Sequence, residues 1–205
     1  MNTIPVERHP LQPFLSPNAR LLMLGSFPPP RKRWCMDFFY PNRTNQMWEI
    51  FGLVFLGDSQ RLVDAPNKTF RLEEIKVLLE KKGVAIYDTA SSVRRLSGNA
   101  SDKDLQIVDK TDIAALLAQI PRCHDIVCTG QKSFSVLTEE YGVPIPAMGT
   151  FNEFSINCSA KLGDLSEGLR SVKLWRMPSS SRAYPMKLEE KTTYYRKMMK
   201  TIGVI

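Results

Sequence analysis

Residues 21–51 read LLMLGSFPPPRKRWCMDFFYPNRTNQMWEIF. An apolar run, Leu21–Gly25, stops at Gly25-Ser26 and meets three prolines. A basic triplet, a group of aromatics and two asparagines follow, before a helix-like stretch. The run is apolar throughout rather than alternating. That pattern predicts a strand buried on both faces, the kind that builds a parallel sheet. Val84–Tyr87 and Ile126–Cys128 have the same character, and Val172–Met177, interrupted by Lys173 and Arg176, is read with them as a fourth strand.

Helical spacing fills the gaps between these runs. Trp48, Phe51 and Phe55 recur after Asn45. Leu72, Ile75, Leu78 and Leu79 form a stripe that ends at Gly83, a good C-terminal stop. Thr111 and Asp112 can cap a helix carrying Ile113, Leu116, Leu117 and Ile120, which Pro121 ends. Phe134, Leu137 and Tyr141 mark another that ends at Gly142, and the last begins near Pro185. Strand–helix alternation predicts one α/β domain over residues 1–205. Its expected form is a three-layer α/β/α sandwich around a central four-stranded parallel sheet. Val143–Asn157 adds a hairpin or an edge strand. Ligands bind at the carboxyl ends of such strands. Here those ends are Gly25-Ser26-Phe27, Asp88-Thr89, Thr129-Gly130-Gln131 and Pro178-Ser179-Ser180-Ser181, all polar, glycine-bearing or both.

Composition narrows the partners. The 28 basic and 21 acidic residues leave +7, which suits a polyanion. No apolar run approaches the ~20 residues that span a membrane, and the N-terminus has no apolar core of a signal peptide. A cytoplasmic monomer without membrane contact is expected, nucleoid-associated in a prokaryote. The scattered Cys35, Cys123, Cys128 and Cys158 read as buried free thiols rather than disulfides. There is no P-loop, dinucleotide fingerprint, nucleophile elbow or H-E-x-x-H, and the two histidines are His9 and His124. The chemistry is expected to need neither metal nor other cofactor, nor a strong nucleophile.

Five motifs then fall in order at the strand ends: LGSFP, FFYPNRTNQMWEIF, YDTASSVRRLSGNASDKDL, CTGQKSF and MPSSSRAYP. Over residues 20–200 this series resembles the uracil-DNA glycosylase superfamily. The nearest branches are the hypoxanthine-DNA glycosylase and mismatch-specific uracil-DNA glycosylase types. The resemblance implies DNA as partner and a deaminated base, uracil or hypoxanthine, flipped into a pocket. The base is released by hydrolysis of its N-glycosidic bond, without a cofactor.

Each motif has a functional and a plain reading. Gly25, Ser26, Phe27 and Pro28 are a base-pocket wall, or a strand-ending turn. Many family members carry Asp or Asn where Phe27 stands, to orient water; here that role moves or is absent. Asn45 matches an Asn implicated in catalysis in the hypoxanthine-type branch, and its amide can hold water or a base edge. It can equally cap the helix that follows, with Asn42 as the back-up candidate. Glu49, one turn on, is a water-activating carboxylate or a solvated or capping one. Phe39 and Tyr40 stack on a base or pack in the core. Arg31, Lys32, Arg33, Arg94 and Arg95 meet phosphate or solvent. Gly130, Gln131 and Lys132 form an anion-binding helix start. By the resemblance, Pro178, Ser179, Ser180 and Ser181 grip phosphates. Arg182 is a wedge into the duplex, a phosphate contact or a surface residue.

Two functions follow. The first is a monofunctional DNA glycosylase whose Asn45 positions water or base. The second is a nucleic-acid-binding relative that kept the fold and lost base excision, motivated by Phe27. A third reading, a lyase using Lys32 as amine nucleophile, is weaker: a loop lysine in a basic triplet is ordinarily solvated, and an amine nucleophile needs a depressed pKa.

Overall fold

The computed structural model describes residues 4–97, 102–158 and 168–205. Part of the third motif, residues 98–101, lies outside them. In chain order the strands are β1 (Val6–Arg8), β2 (Leu21–Gly25), β3 (Val63–Asp64), β4 (Thr69–Phe70) and β5 (Val84–Asp88). They continue with β6 (Ala90–Arg95), β7 (Leu105–Lys110), β8 (Asp125–Cys128), β9 (Phe151–Asn157) and β10 (Leu169–Arg176). The α-helices are α1 (Met47–Phe51), α2 (Leu72–Lys82), α3 (Ile113–Gln119), α4 (Gln131–Tyr141) and α5 (Leu188–Ile202).

The main sheet runs β5-β2-β8-β10-β9. β2 pairs parallel with β5 and β8, and β8 pairs parallel with β10, so the four predicted strands are present and parallel. The sheet nevertheless has five strands, not four. β9 adds antiparallel to β10 at the edge, where FNEFSIN allows it. Its alternation of half-buried and exposed residues suits an edge open on one side. Leu21 to Leu24 are each fully buried although successive side chains point to opposite faces, so both faces are covered. Burying each such leucine contributes about 1.5–3 kcal/mol.

The helix signals act locally as read. Glu73 and Glu74 open α2 and Lys81 and Lys82 close it, matching the helix dipole. Gly83 then turns left-handed at φ 63°. Asp112 caps α3, its carboxylate accepting the Ala115 N–H. The Trp48–Phe55 stripe begins as α1 and continues as a π-type turn over Gly52–Leu56. The last helix begins three residues later than Pro185, at Leu188.

A second sheet, β1-β6-β7, is antiparallel and was not legible in the sequence. Its strands are short and largely polar. Phe27 from the loop after β2 packs into it against Ala90, Val93 and Leu105. Among the described residues all four cysteines are free, Cys123 and Cys128 buried and Cys35 and Cys158 half-buried. Burial pushes the Cys128 thiol up to about 12, so it is a packing group rather than a thiolate. No helix among the described residues is long and apolar enough to cross a membrane.

Candidate active site

The carboxyl ends of β2, β5 and β8 and the serine loop before α5 converge on one cleft of about 850 Å³. Parallel register sets its floor, pairing Gly25 at the end of β2 with Asp88 at the end of β5. A β-carbon on Gly25 would stand 2.2 Å from Asp88 Oδ1, so the glycine admits the carboxylate.

The loop after β2 lines the cleft with Gly25, Ser26, Phe27 and Pro28. The Ser26 hydroxyl donates to Asp102 Oδ1 at 2.7 Å. Phe27 serves both readings at once, lining the cleft while belonging to the second sheet's core. Pro28 is tied from behind, its carbonyl accepting from Arg95 Nη2 at 3.0 Å. Arg95 also pairs with Glu7 at 3.1 Å and is 7 % exposed, which makes it a structural strut rather than a phosphate contact.

Phe39, Tyr40 and Asn45 line the opposite wall. Phe39 stands edge-on to Phe38, and its carbonyl accepts the Trp48 indole N–H at 3.3 Å. Tyr40 adopts φ 49°, uncommon outside glycine, and its hydroxyl shares a 2.9 Å hydrogen bond with Thr129 Oγ1. Burial pushes its phenol far above the usual range. The Asn45 amide oxygen accepts the Met47 N–H at 2.9 Å in a turn leading into α1, while the cap position itself is held by Gln46, which makes no side-chain cap bond. Asn45 Nδ2 has no hydrogen-bond partner among the described residues and remains as a donor. Such a group can hold a carbonyl or a water but cannot accept a proton.

The serine loop is stitched to this wall. Gln46 N–H donates to Ser180 O at 2.8 Å, and Asn45 bridges to Ser181. Ser179, Ser180, Ser181 and Arg182 line the cleft, whereas Pro178 lies behind it, its carbonyl accepting the Tyr195 hydroxyl at 3.0 Å. Beneath the loop Lys191 is fully buried and donates to Gln46 Oε1 at 2.9 Å and Ser181 O at 2.6 Å. Burial pushes its pKa down. Arg182 donates to Glu49 Oε1 at 3.2 Å. Glu49 is therefore neither solvated nor in the cleft, and its Oε2 is buried with no hydrogen-bond partner among the described residues.

The cationic candidates separate. Arg33 lines the cleft. Arg31 pairs with Asp37, covers the Trp34 ring at 4.4 Å and lines a neighbouring groove. Lys32 is exposed and lines neither. Gly130 and Gln131 line the cleft at the start of α4, while Lys132 stands outside its lining and acts on Asp102 through its charge.

Sequence reading did not assign roles to Asp88, Asp102, His9 or Lys191. Asp88 had a visible signal as a strand end; the rest are joined only through space. Burial pushes the Asp102 carboxyl up, and Asp88 nearby adds to this. The Ser26 hydroxyl, Lys132 and Arg95 oppose it. Asp88 Oδ2 accepts from His9 Nε2 at 2.9 Å. Among the described residues no group of three or more His, Cys, Asp or Glu side chains could hold a metal ion.

A mixed α/β fold with a five-stranded, mostly parallel sheet and a strand-end cleft is the class these elements define. A solution NMR structure from Methanosarcina acetivorans, described as a "putative Uracil DNA glycosylase", has the same fold. It superposes with a TM-score of 0.61 and 16% identity over 97% of this chain and 99% of that one. No protein-family model and no curated protein matches the sequence.

Proposed function

We propose that the chain, acting as one domain, is a monofunctional DNA-repair glycosylase that hydrolyses the N-glycosidic bond of a flipped, deaminated base, uracil or hypoxanthine. The observation that carries this is the joint lining of one strand-end cleft. It combines apolar rings (Phe27, Phe39), an amide with unused donors (Asn45), carboxylates (Asp88, Asp102) and a hydroxyl-rich rim (Ser179, Ser180, Ser181). Rings take the faces of a base, donors hold its carbonyls as charge moves onto it, and the rim with Arg33 takes the phosphates. In the reaction, water oxygen bonds to the sugar anomeric carbon. The C–N bond breaks with its electron pair on the base, and the base leaves carrying one water proton. Asn45 holds the base carbonyl or the water through Nδ2.

The second reading is a DNA-binding module without base release. Phe27 favours it, since that position carries a core ring instead of a polar group. One assay separates the two. Wild type and Asn45→Ala are incubated with end-labelled oligonucleotides bearing one uracil, hypoxanthine or xanthine, followed by alkaline cleavage. Strand breaks with wild type and their loss in a folded Asn45→Ala support the glycosylase. Salt-sensitive binding with no breaks on any substrate selects the module.

A further inference from the structure

We infer that Asp88 is the carboxylate that receives the water proton in this cleft, and that His9, from the segment after β1, is its positioning residue. This rests on the glycosylase reading above. Hydrolysis of an N-glycosidic bond leaves positive charge on the sugar and requires a base for the incoming water, and one oriented carboxylate serves both needs. Asp88 is built for it. Its Oδ2 is held by His9 Nε2 at 2.9 Å, while Oδ1 has no hydrogen bond among the described residues and faces the space that Gly25 leaves open. His9 is itself immobilised. Its side chain is 2 % exposed and stands 4.6 Å from the Tyr87 ring and edge-on to Phe27 at 5.3 Å. On its far side, Nδ1 lies 3.1 Å from the Leu11 backbone nitrogen and 2.9 Å from the Leu11 carbonyl oxygen. A carboxylate oriented by a second group that the backbone holds in turn is the usual architecture of an activated base.

The other groups near the cleft fit the role less well. Asp102 Oδ1 is occupied by Ser26, and burial favours its protonated form. Asn45 offers donors only, and Glu49 is turned to Arg182. In the step assigned here, the proton that water loses as its oxygen bonds to carbon passes to Asp88 Oδ1 and then to the released base. The sugar gains OH and the base gains H.

The test is single-turnover base release from the substrate that wild type cleaves, run beside DNA affinity by fluorescence anisotropy and thermal melting. Asp88→Asn keeps the shape and the oxygen that accepts from His9. It is expected to bind DNA as wild type does and to lose about 10²–10⁴-fold in rate. His9→Leu is expected to lose about 10–100-fold in rate at unchanged DNA affinity. His9→Gln, whose amide can still donate to Asp88, should restore most of it. An Asp88→Asn enzyme with wild-type rate overturns the assignment while leaving the glycosylase standing. Equal losses in His9→Leu and His9→Gln that track the melting temperature overturn the positioning role. A wild type that releases no base from any substrate overturns both readings together.

Discussion

The Asp88 carboxylate fills the place that a side chain on Gly25 would take, with Oδ1 2.2 Å from the position of a β-carbon there. The glycine is required for space, since its backbone is not left-handed. Gly25→Ala must therefore push Asp88 aside or move β2 against β5. The expected cost is about 1–3 kcal/mol in stability, with base release lost well before the fold is. Urea denaturation and base release on the same preparation check this; full activity in Gly25→Ala would show that the cleft does not depend on the position of Asp88.

Lys191 staples the amide wall to the serine loop by donating to Gln46 Oε1 and Ser181 O. Lys191→Met preserves much of the volume and removes both bonds. Hydrogen bonds from a charged donor are worth about 1.5–3 kcal/mol each, so a loss of at least that order is expected in a chemical melt. With the loop released, affinity for DNA should fall more than the single-turnover rate. An unchanged melt would mean the loop is held by its backbone bonds alone.

Asp102 carries a pH dependence whose sign can be worked out. Burial raises its folded value above the 3.8 of an unfolded carboxyl, so the folded chain binds the proton more tightly. Between the two values stability falls as pH rises, and above both the full penalty remains. Asp102→Asn should therefore be more stable than wild type at neutral pH. The advantage should shrink as pH is lowered through the raised value toward 3.8. Denaturation midpoints at several pH values read this directly, and an advantage that does not change with pH would assign it to packing.

Arg33 and Arg31 sit in one short basic turn but face different surroundings. Arg33 lines the cleft, and Arg31 is held by Asp37 and Trp34. If Arg33 meets a phosphate, Arg33→Ala should lower the slope of log affinity against log salt by about 0.9 for duplex DNA. Arg31→Ala should leave that slope unchanged. Anisotropy titrations across a salt series distinguish them, and equal slopes in both variants would move phosphate contact elsewhere.

Local chemistry explains what could be read along the chain. The strands from Leu21, Val84 and Asp125 announce themselves because residues buried on both faces must be apolar in near-continuous runs, whereas the strand from Leu169 is marked by Val172, Leu174 and Trp175 with Lys173 and Arg176 between and after them. α2, α3 and α4 are bounded by Gly83, Asp112 and Gly142, whose backbone or side-chain chemistry acts within a few residues. Asn45, Phe39, Tyr40 and the serine loop could be singled out because they stand in motifs at strand ends. The edge strand β9 left only a faint trace, since alternation at an open edge is weak. β1, β6 and β7 left none that was read, being short and mixed in polarity.

The sequence by itself thus determined the parallel sheet, most helix boundaries and the strand ends where a site could form, because each depends on near neighbours in the chain. Tertiary structure alone decided which groups meet there. His9 and Asp88 are 79 residues apart, Ser26 and Asp102 are 76 apart, and Lys191 reaches Gln46 across 145. No local pattern encodes such pairs. Strand order and register bring them within hydrogen-bonding distance, and only there do a strand-end aspartate, a terminal histidine and a helix lysine become parts of one cleft and its support.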